Sequence, residues 1–171
     1  MGEQIADLIA NVFGGDAGKI IAVFLISMLP VVELRGAILV AVLPAFGLSW
    51  YTAFIVSVIG NMLPIPFILL FIEKIFNFMK RRNILKKTIV KLEQKALSRK
   101  DSISRLEFWG LAVFVGIPLP GTGGWTGALI ATVLKMNKKQ ALLSIFIGVL
   151  AAGVVMTLLS YGVVGTIINL F

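Results

Sequence analysis

The sequence predicts an all-α integral membrane protein. Its expected architecture is two re-entrant helical hairpins and two transmembrane helices forming an inverted repeat, with amphipathic helices at the interface. Three observations lead there. The chain is 58% hydrophobic, 14% charged and has a mean hydropathy of +1.00, against roughly 45–50% apolar residues in a soluble domain. Fourteen of its sixteen Lys/Arg fall in two loops. Two of its four long apolar stretches are broken near their centres by proline and glycine.

Taken in order, residues 3–13 place Ile5, Leu8, Ile9, Val12 and Phe13 on one helical stripe ending at Gly14 and Gly15, which predicts a short interfacial helix. No cleavable signal is expected, because Glu3, Asp7 and Asp16 outnumber Lys19 where a signal would be basic. Residues 19–43 form hairpin one, with Pro30, Glu33 and Gly36 near its centre. Residues 48–72 form the first span, inside an uncharged run from Gly36 to Ile72. Residues 73–107 hold eleven Lys/Arg against four acidic residues. There Leu85, Ile89, Leu92, Ala96, Ile103 and Leu106 oppose Lys86, Lys87, Lys91, Lys95 and Lys100. That is a basic amphipathic helix suited to anionic lipids, or to a second copy of itself. Residues 108–134 form hairpin two, with Pro118, Pro120, Gly121, Gly123, Gly124 and Gly127 clustered at its centre. Residues 140–160 form the second span. The whole, 1–171, reads as one membrane domain.

Charge sets the expected topology. Plain spans at 19–43, 48–72, 108–134 and 140–160 would put loops 73–107 and 135–139 on opposite sides. Both are basic, the second through Lys135, Lys138 and Lys139, and basic loops stay cytoplasmic. If 19–43 and 108–134 each enter and leave on one side, both loops become cytoplasmic and both termini lie outside a cell inner (plasma) membrane. Re-entrant backbone requires a central break and shelter from lipid; the alternative for each hairpin is a proline-kinked span. Arms of 11–13 residues would reach the midplane, about 17–20 Å in. An offset of 88 residues superposes Pro30 on Pro118, Gly36 on Gly124, Ala53 on Ala141 and Gly60 on Gly148. Inverted repeats with broken helices are a transporter pattern.

The chemistry-bearing residues are few. Glu33 and Arg35 lie within apolar sequence, where ionised groups cost several kcal/mol or more. A guanidinium suits phosphate or carboxylate, so Arg35 is the expected anchor for an anionic head. Glu33 is the expected proton carrier. At i, i+2 the two do not share a helix face, unless Pro30 leaves the local backbone non-helical. The alternative is a mutually neutralising structural pair. Gly121, Thr122, Gly123 and Gly124 could offer bare backbone amides to an anion, or pack closely against hairpin one. Trp125 is a cavity wall or a packing residue. Asn61 is expected to hydrogen-bond backbone freed by Pro64 and Pro66, or else to line the pathway. No cofactor is expected: the chain has no Cys and no His, which removes thiol, haem and ordinary zinc chemistry. Its net charge of +8 is juxtamembrane charge rather than a nucleic-acid footprint.

The stretches Glu33-Leu34-Arg35-Gly36-Ala37-Ile38, Gly60 to Pro66 and Ile117 to Ala128 resemble the small multi-drug export protein family. The resemblance covers about 25–160, and Pro118 to Gly127 is its most specific part. More distantly the chain is similar to the DedA membrane proteins, whose members are linked to lipid-carrier translocation and proton-coupled transport. It departs from them in one respect. DedA hairpins usually carry acidic and arginine residues in both halves, whereas 108–134 here is uncharged. The reading is a small proton-coupled transporter or flippase for an anionic amphiphile or small hydrophobic compound, working at a midplane site between the hairpins as a homodimer. The alternatives are a structural or assembly protein and, last, an intramembrane enzyme, for which one membrane carboxylate is thin equipment.

Overall fold

The computed structural model describes residues 15–81, 104–119 and 121–164. Every regular element among them is helical: α1 (Asp16–Met28), α2 (Glu33–Val42), α3 (Trp50–Met62), α4 (Pro64–Arg81), α5 (Ser104–Gly116), α6 (Gly124–Val133) and α7 (Lys138–Thr157). A π-helical segment, Leu158–Val164, continues α7. The expected interfacial helix 3–13 lies outside the described residues, as does 82–103 of the expected basic helix. The start of that basic segment continues α4 to Arg81.

Proline decides where helices stop. Leu29, in extended conformation, ends α1, because the residue before a proline is driven from helical geometry. Pro64 and Pro66 both fall in the first turn of α4, where a missing N–H leaves no helical bond unmade. Among the described residues, two segments are long and apolar enough to cross a membrane, Trp50–Ile72 and Lys138–Val163. The first exposes Ile55, Ile59, Leu63 and Phe67 at four-residue spacing while Ser57 and Asn61 are buried. Apolar residues outside and polar residues inside suit a hydrocarbon solvent rather than water.

The chain forms two compact units. Unit 1 comprises residues 1–61 and 152–171, and unit 2 comprises 62–151. Each therefore holds one hairpin, the first half of the span that follows it, and the second half of the other span.

In unit 1, α1 packs along α2 around Val23, Ala37, Ala41, Leu48 and Ala53. Gly60 on α3 admits α1 so closely that a Cβ there would collide with Ser27 Oγ and lie 2.6 Å from the Phe24 carbonyl oxygen. Gly153 admits Leu34 of α2 and the Phe54 ring of α3 in the same way. The Tyr161 hydroxyl donates to the Leu48 carbonyl at 2.7 Å. The tip of the α1–α2 hairpin thus stands level with Gly60 and Gly153, deep within the two apolar segments.

In unit 2, Ser144 donates to the Phe108 carbonyl at 2.5 Å. A Cβ on Gly148 would meet the Ala112 carbonyl at 2.6 Å, and one on Gly116 would meet Ala151 at 3.4 Å. Hence α5 runs alongside α7, from Ser144 to Ala151, and ends about halfway along the apolar segment. Helix α6 returns, packed on α4 and α5. It ends where Leu69, Ala131, Thr132 and Lys135–Lys139 line a cavity of about 620 Å³.

The 88-residue offset recurs in local geometry. Gly60 meets Phe24 and Ser27; Gly148 meets Ala112 and Val115, and each of these residues is 88 positions from its counterpart. Left-handed backbone recurs likewise, at Glu33 and Gly121 and at Gly47 and Lys135. The few identities visible in the sequence include the glycine pair that lets the first arm of each hairpin cross its span.

Candidate functional site in unit 1

The first hairpin turns over four residues. The Glu33 amide donates to the Leu29 carbonyl at 3.0 Å, with Val31 at φ 77° and Glu33 at φ 51°. A β-branched residue at positive φ is an outlier, and each such residue stores about 1–3 kcal/mol, most often near functional sites. Val31 is 82% exposed, so its side chain supports no packing. Val31→Gly should therefore raise the free energy of unfolding by about 1 kcal/mol, measurable as a higher Tm in detergent.

The strained turn delivers two buried charges. Glu33 is 2% exposed and Arg35 9%. Arg35 Nη1 donates to Glu33 Oε2 at 3.2 Å. Residues two apart diverge on a regular helix; these meet because the backbone at Glu33 is left-handed rather than helical. The conditional reading from the sequence, that Pro30 would leave this backbone irregular, describes what happens. A charge pair so deep is neutral overall. Loss of either member, or protonation of the carboxylate, leaves the other buried without its counter-charge.

Asn61 stands on the buried face of α3, fully enclosed, and neither Oδ1 nor Nδ2 has a hydrogen-bond partner among the described residues. This corrects the expectation that it serves backbone freed by Pro64 and Pro66. Those prolines begin a new helix after the break at Leu63, where no donor is missed. Sequence reasoning overlooked three more side chains of the same kind. Ser57, Thr157 and Ser160 are buried, and their hydroxyls also lack partners among the described residues. The available signals were spacings: Ser57 is one turn before Asn61, and Thr157 and Ser160 are an i, i+3 pair. Ser27, also buried, donates to Phe24 at 2.7 Å.

The second tip belongs to unit 2. Thr122 Oγ1 lies 2.7 Å from the Ile117 carbonyl and 2.9 Å from that of Leu119, so its hydroxyl fastens the turn. Gly121 takes φ 83°, which glycine adopts without a Cβ clash. Gly123 caps α6 and brings no side-chain acceptor. Gly124 lies against Ile65 and Ile145, so its missing side chain serves packing. Trp125 is half-buried. Glu33, Arg35 and Asn61 are held in unit 1, and Gly121 to Trp125 in unit 2. No cluster of three metal-binding side chains occurs among the described residues.

A model of the family described as "Putative small multi-drug export protein" matches residues 33–155. No curated protein and no solved structure matches the chain. The matched stretch opens at Glu33 and takes in Arg35, Asn61 and the whole second tip.

Proposed function

We propose that this chain, a membrane protein belonging to the small multi-drug export protein family, moves an anionic amphiphile together with a proton. Arg35 binds the anionic head and Glu33 carries the proton. The observation behind this is the buried Glu33–Arg35 pair on strained backbone, for which unit 2 substitutes Gly121 and Gly123 at the same repeat positions. With Glu33 ionised, Arg35 is neutralised internally and has little reason to take an anion. Protonating Glu33 removes that competitor and leaves the guanidinium to a phosphate or carboxylate. Release of the proton restores the pair and displaces the head. The turn at Gly121–Gly124 is a second candidate contact for anionic oxygens.

The placement in the membrane is part of the proposal: an inner membrane, loops 73–107 and 135–139 on the cytoplasmic side, the termini outside, hairpins that enter and leave on one side, and a homodimer. It is supported by the cavity in unit 2, where Leu69 near the end of one apolar segment and Lys138 at the start of the other share one wall. The path of α5 only halfway along α7 supports it too.

Purified protein in proteoliposomes should move an alkyl phosphate faster with an imposed pH gradient than without one, and should not move the matching neutral alcohol. Glu33→Gln should remove the dependence on the gradient while binding of the alkyl phosphate remains measurable. Equal movement with and without the gradient would refute the coupling; equal movement of the neutral alcohol would refute the role given to Arg35.

A further inference from the structure

Eight polar or charged residues are buried among the described residues: Ser27, Glu33, Arg35, Ser57, Asn61, Ser144, Thr157 and Ser160. All but Ser144 lie in unit 1. The repeat supplies an internal control. At the 88-residue offset, Ser27, Ser57, Asn61, Thr157 and Ser160 correspond to Val115, Ile145, Val149, Leu69 and Ile72. Of these, Val115, Ile145, Val149 and Leu69 are buried too. Unit 2 repeats the glycine crossing and the left-handed turns of unit 1 with apolar side chains in these places. The polar groups are therefore not needed to build this framework. Leaving a buried hydroxyl or amide without a partner costs about 1–3 kcal/mol. In unit 1 this happens at Ser57, Asn61, Thr157 and Ser160.

Their order along the helices makes a track. The end of the last helix runs antiparallel to α3, since Tyr161 bonds Leu48 while Gly153 meets Phe54. Leu34, between Glu33 and Arg35, touches that same crossing at Gly153. Thr157 is one turn from the crossing on one side and Ser160 nearly another, about 10 Å in all. Ser57 is one turn beyond Phe54 on the other side, and Asn61 one further. Ser160 is three residues from the end of its apolar segment and Leu48 two before the start of the other. The Leu48–Tyr161 end is thus the end nearest water. The π-helical segment begins directly after Thr157 and contains Ser160; such widened turns concentrate at functional sites. The other described charges of unit 1, Asp16 and Lys19, pair at 3.8 Å at the start of α1, and Tyr51 is exposed. Glu33 is the sole described carboxyl that this track can reach.

We propose that Ser160 and Thr157 form a hydrated proton path from the Leu48–Tyr161 face to Glu33, continued inward by Ser57 and Asn61. Among the described residues, unit 2 has apolar side chains in the corresponding places. Hydroxyl and carboxamide groups both donate and accept hydrogen bonds, so with intervening water they can relay a proton. The inference rests on the role proposed for Glu33 but names its supply route, and its test has one arm independent of transport.

In the first arm, single cysteines replace Thr157, Ser160, Ile145 and Val149 in this cysteine-free chain, reconstituted in one orientation; Ile145 and Val149 are fully buried in unit 2. A water-soluble, membrane-impermeant methanethiosulfonate should label positions 157 and 160 at least tenfold faster than 145 and 149. It should do so only from the side that labels a cysteine at Ala45. In the second arm, the double variant Thr157→Val with Ser160→Ala should slow proton uptake at least tenfold, read with an internal pH dye. Thr157→Ser should leave uptake near normal. Slow labelling at 157 and 160 overturns the path whatever the transport result. Unchanged uptake in the double variant overturns the relay. If the unmodified protein moves no protons while 157 and 160 label fast from that side, the coupling role of Glu33 fails and the hydrated track stands.

Discussion

Arg35→Gln is expected to lower stability by about 3–5 kcal/mol, because it leaves the Glu33 carboxylate buried without its counter-charge. Glu33→Gln should cost a similar amount by stranding the guanidinium. Glu33→Gln combined with Arg35→Gln should recover most of the loss, since two neutral amides can hydrogen-bond at the same separation. Thermal unfolding in detergent measures all three. Alkyl phosphate transport measured beside it separates structure from function. A double variant that is stable and inactive matches the proposal. A double variant that is stable and fully active would show that the pair only fixes the hairpin tip. Arg35→Lys is a finer probe: the charge remains and the planar fork is lost, so binding should weaken more than folding.

Gly148→Ala should be the most disruptive single methyl addition in unit 2. Its Cβ would lie 2.6 Å from the Ala112 carbonyl oxygen and 2.7 Å from Val115 Cβ. Backbone cannot yield there unless α5 moves away from α7. Overpacking of this kind costs about 1–3 kcal/mol, and the carbonyl contact places the expected value at the upper end. Gly60→Ala should behave alike in unit 1, against Phe24 and Ser27. Gly110→Ala is the control. Nothing lies within 4 Å of its Cβ position, so it should gain about 0.5–1 kcal/mol from helix propensity. Melting temperatures for the three variants, ordered Gly110→Ala highest, check the crossing geometry. Equal values for Gly148→Ala and Gly110→Ala would contradict it.

Both sites were partly legible in the amino-acid sequence. Helical content and two apolar spans follow from composition and from run lengths that no soluble core requires. Glu33 and Arg35 stood out because charge is costly in apolar sequence, and Pro30 signalled that their backbone need not be helical. Ser57, Thr157 and Ser160 gave no such warning. Small hydroxyl residues are ordinary in apolar helices, where they often bond to their own backbone; only burial without a partner sets these apart. Asn61 was misjudged because the two prolines after it suggested stranded backbone, whereas they simply begin a new helix. The 88-residue correspondence is faint in the sequence because few positions require the same residue. Gly60 and Gly148 persist where helices nearly touch. Elsewhere one half chose polar side chains and the other apolar ones over the same crossing.

The division of the chain into units bears on the order in which it is made. Unit 2 is contiguous, residues 62–151, whereas unit 1 joins the first 61 residues to the last twenty. During synthesis unit 2 is complete as soon as Ala151 has emerged. The first hairpin, made earlier, still waits for Gly153 to receive Leu34 and for Tyr161 to reach Leu48. Through that interval Glu33 and Arg35 have each other but not their wall. The two charges are thus enclosed only once the segment beyond Ala151 has been made. A nascent chain stopped short of that segment holds its two charges without the wall that Gly153 and Tyr161 complete.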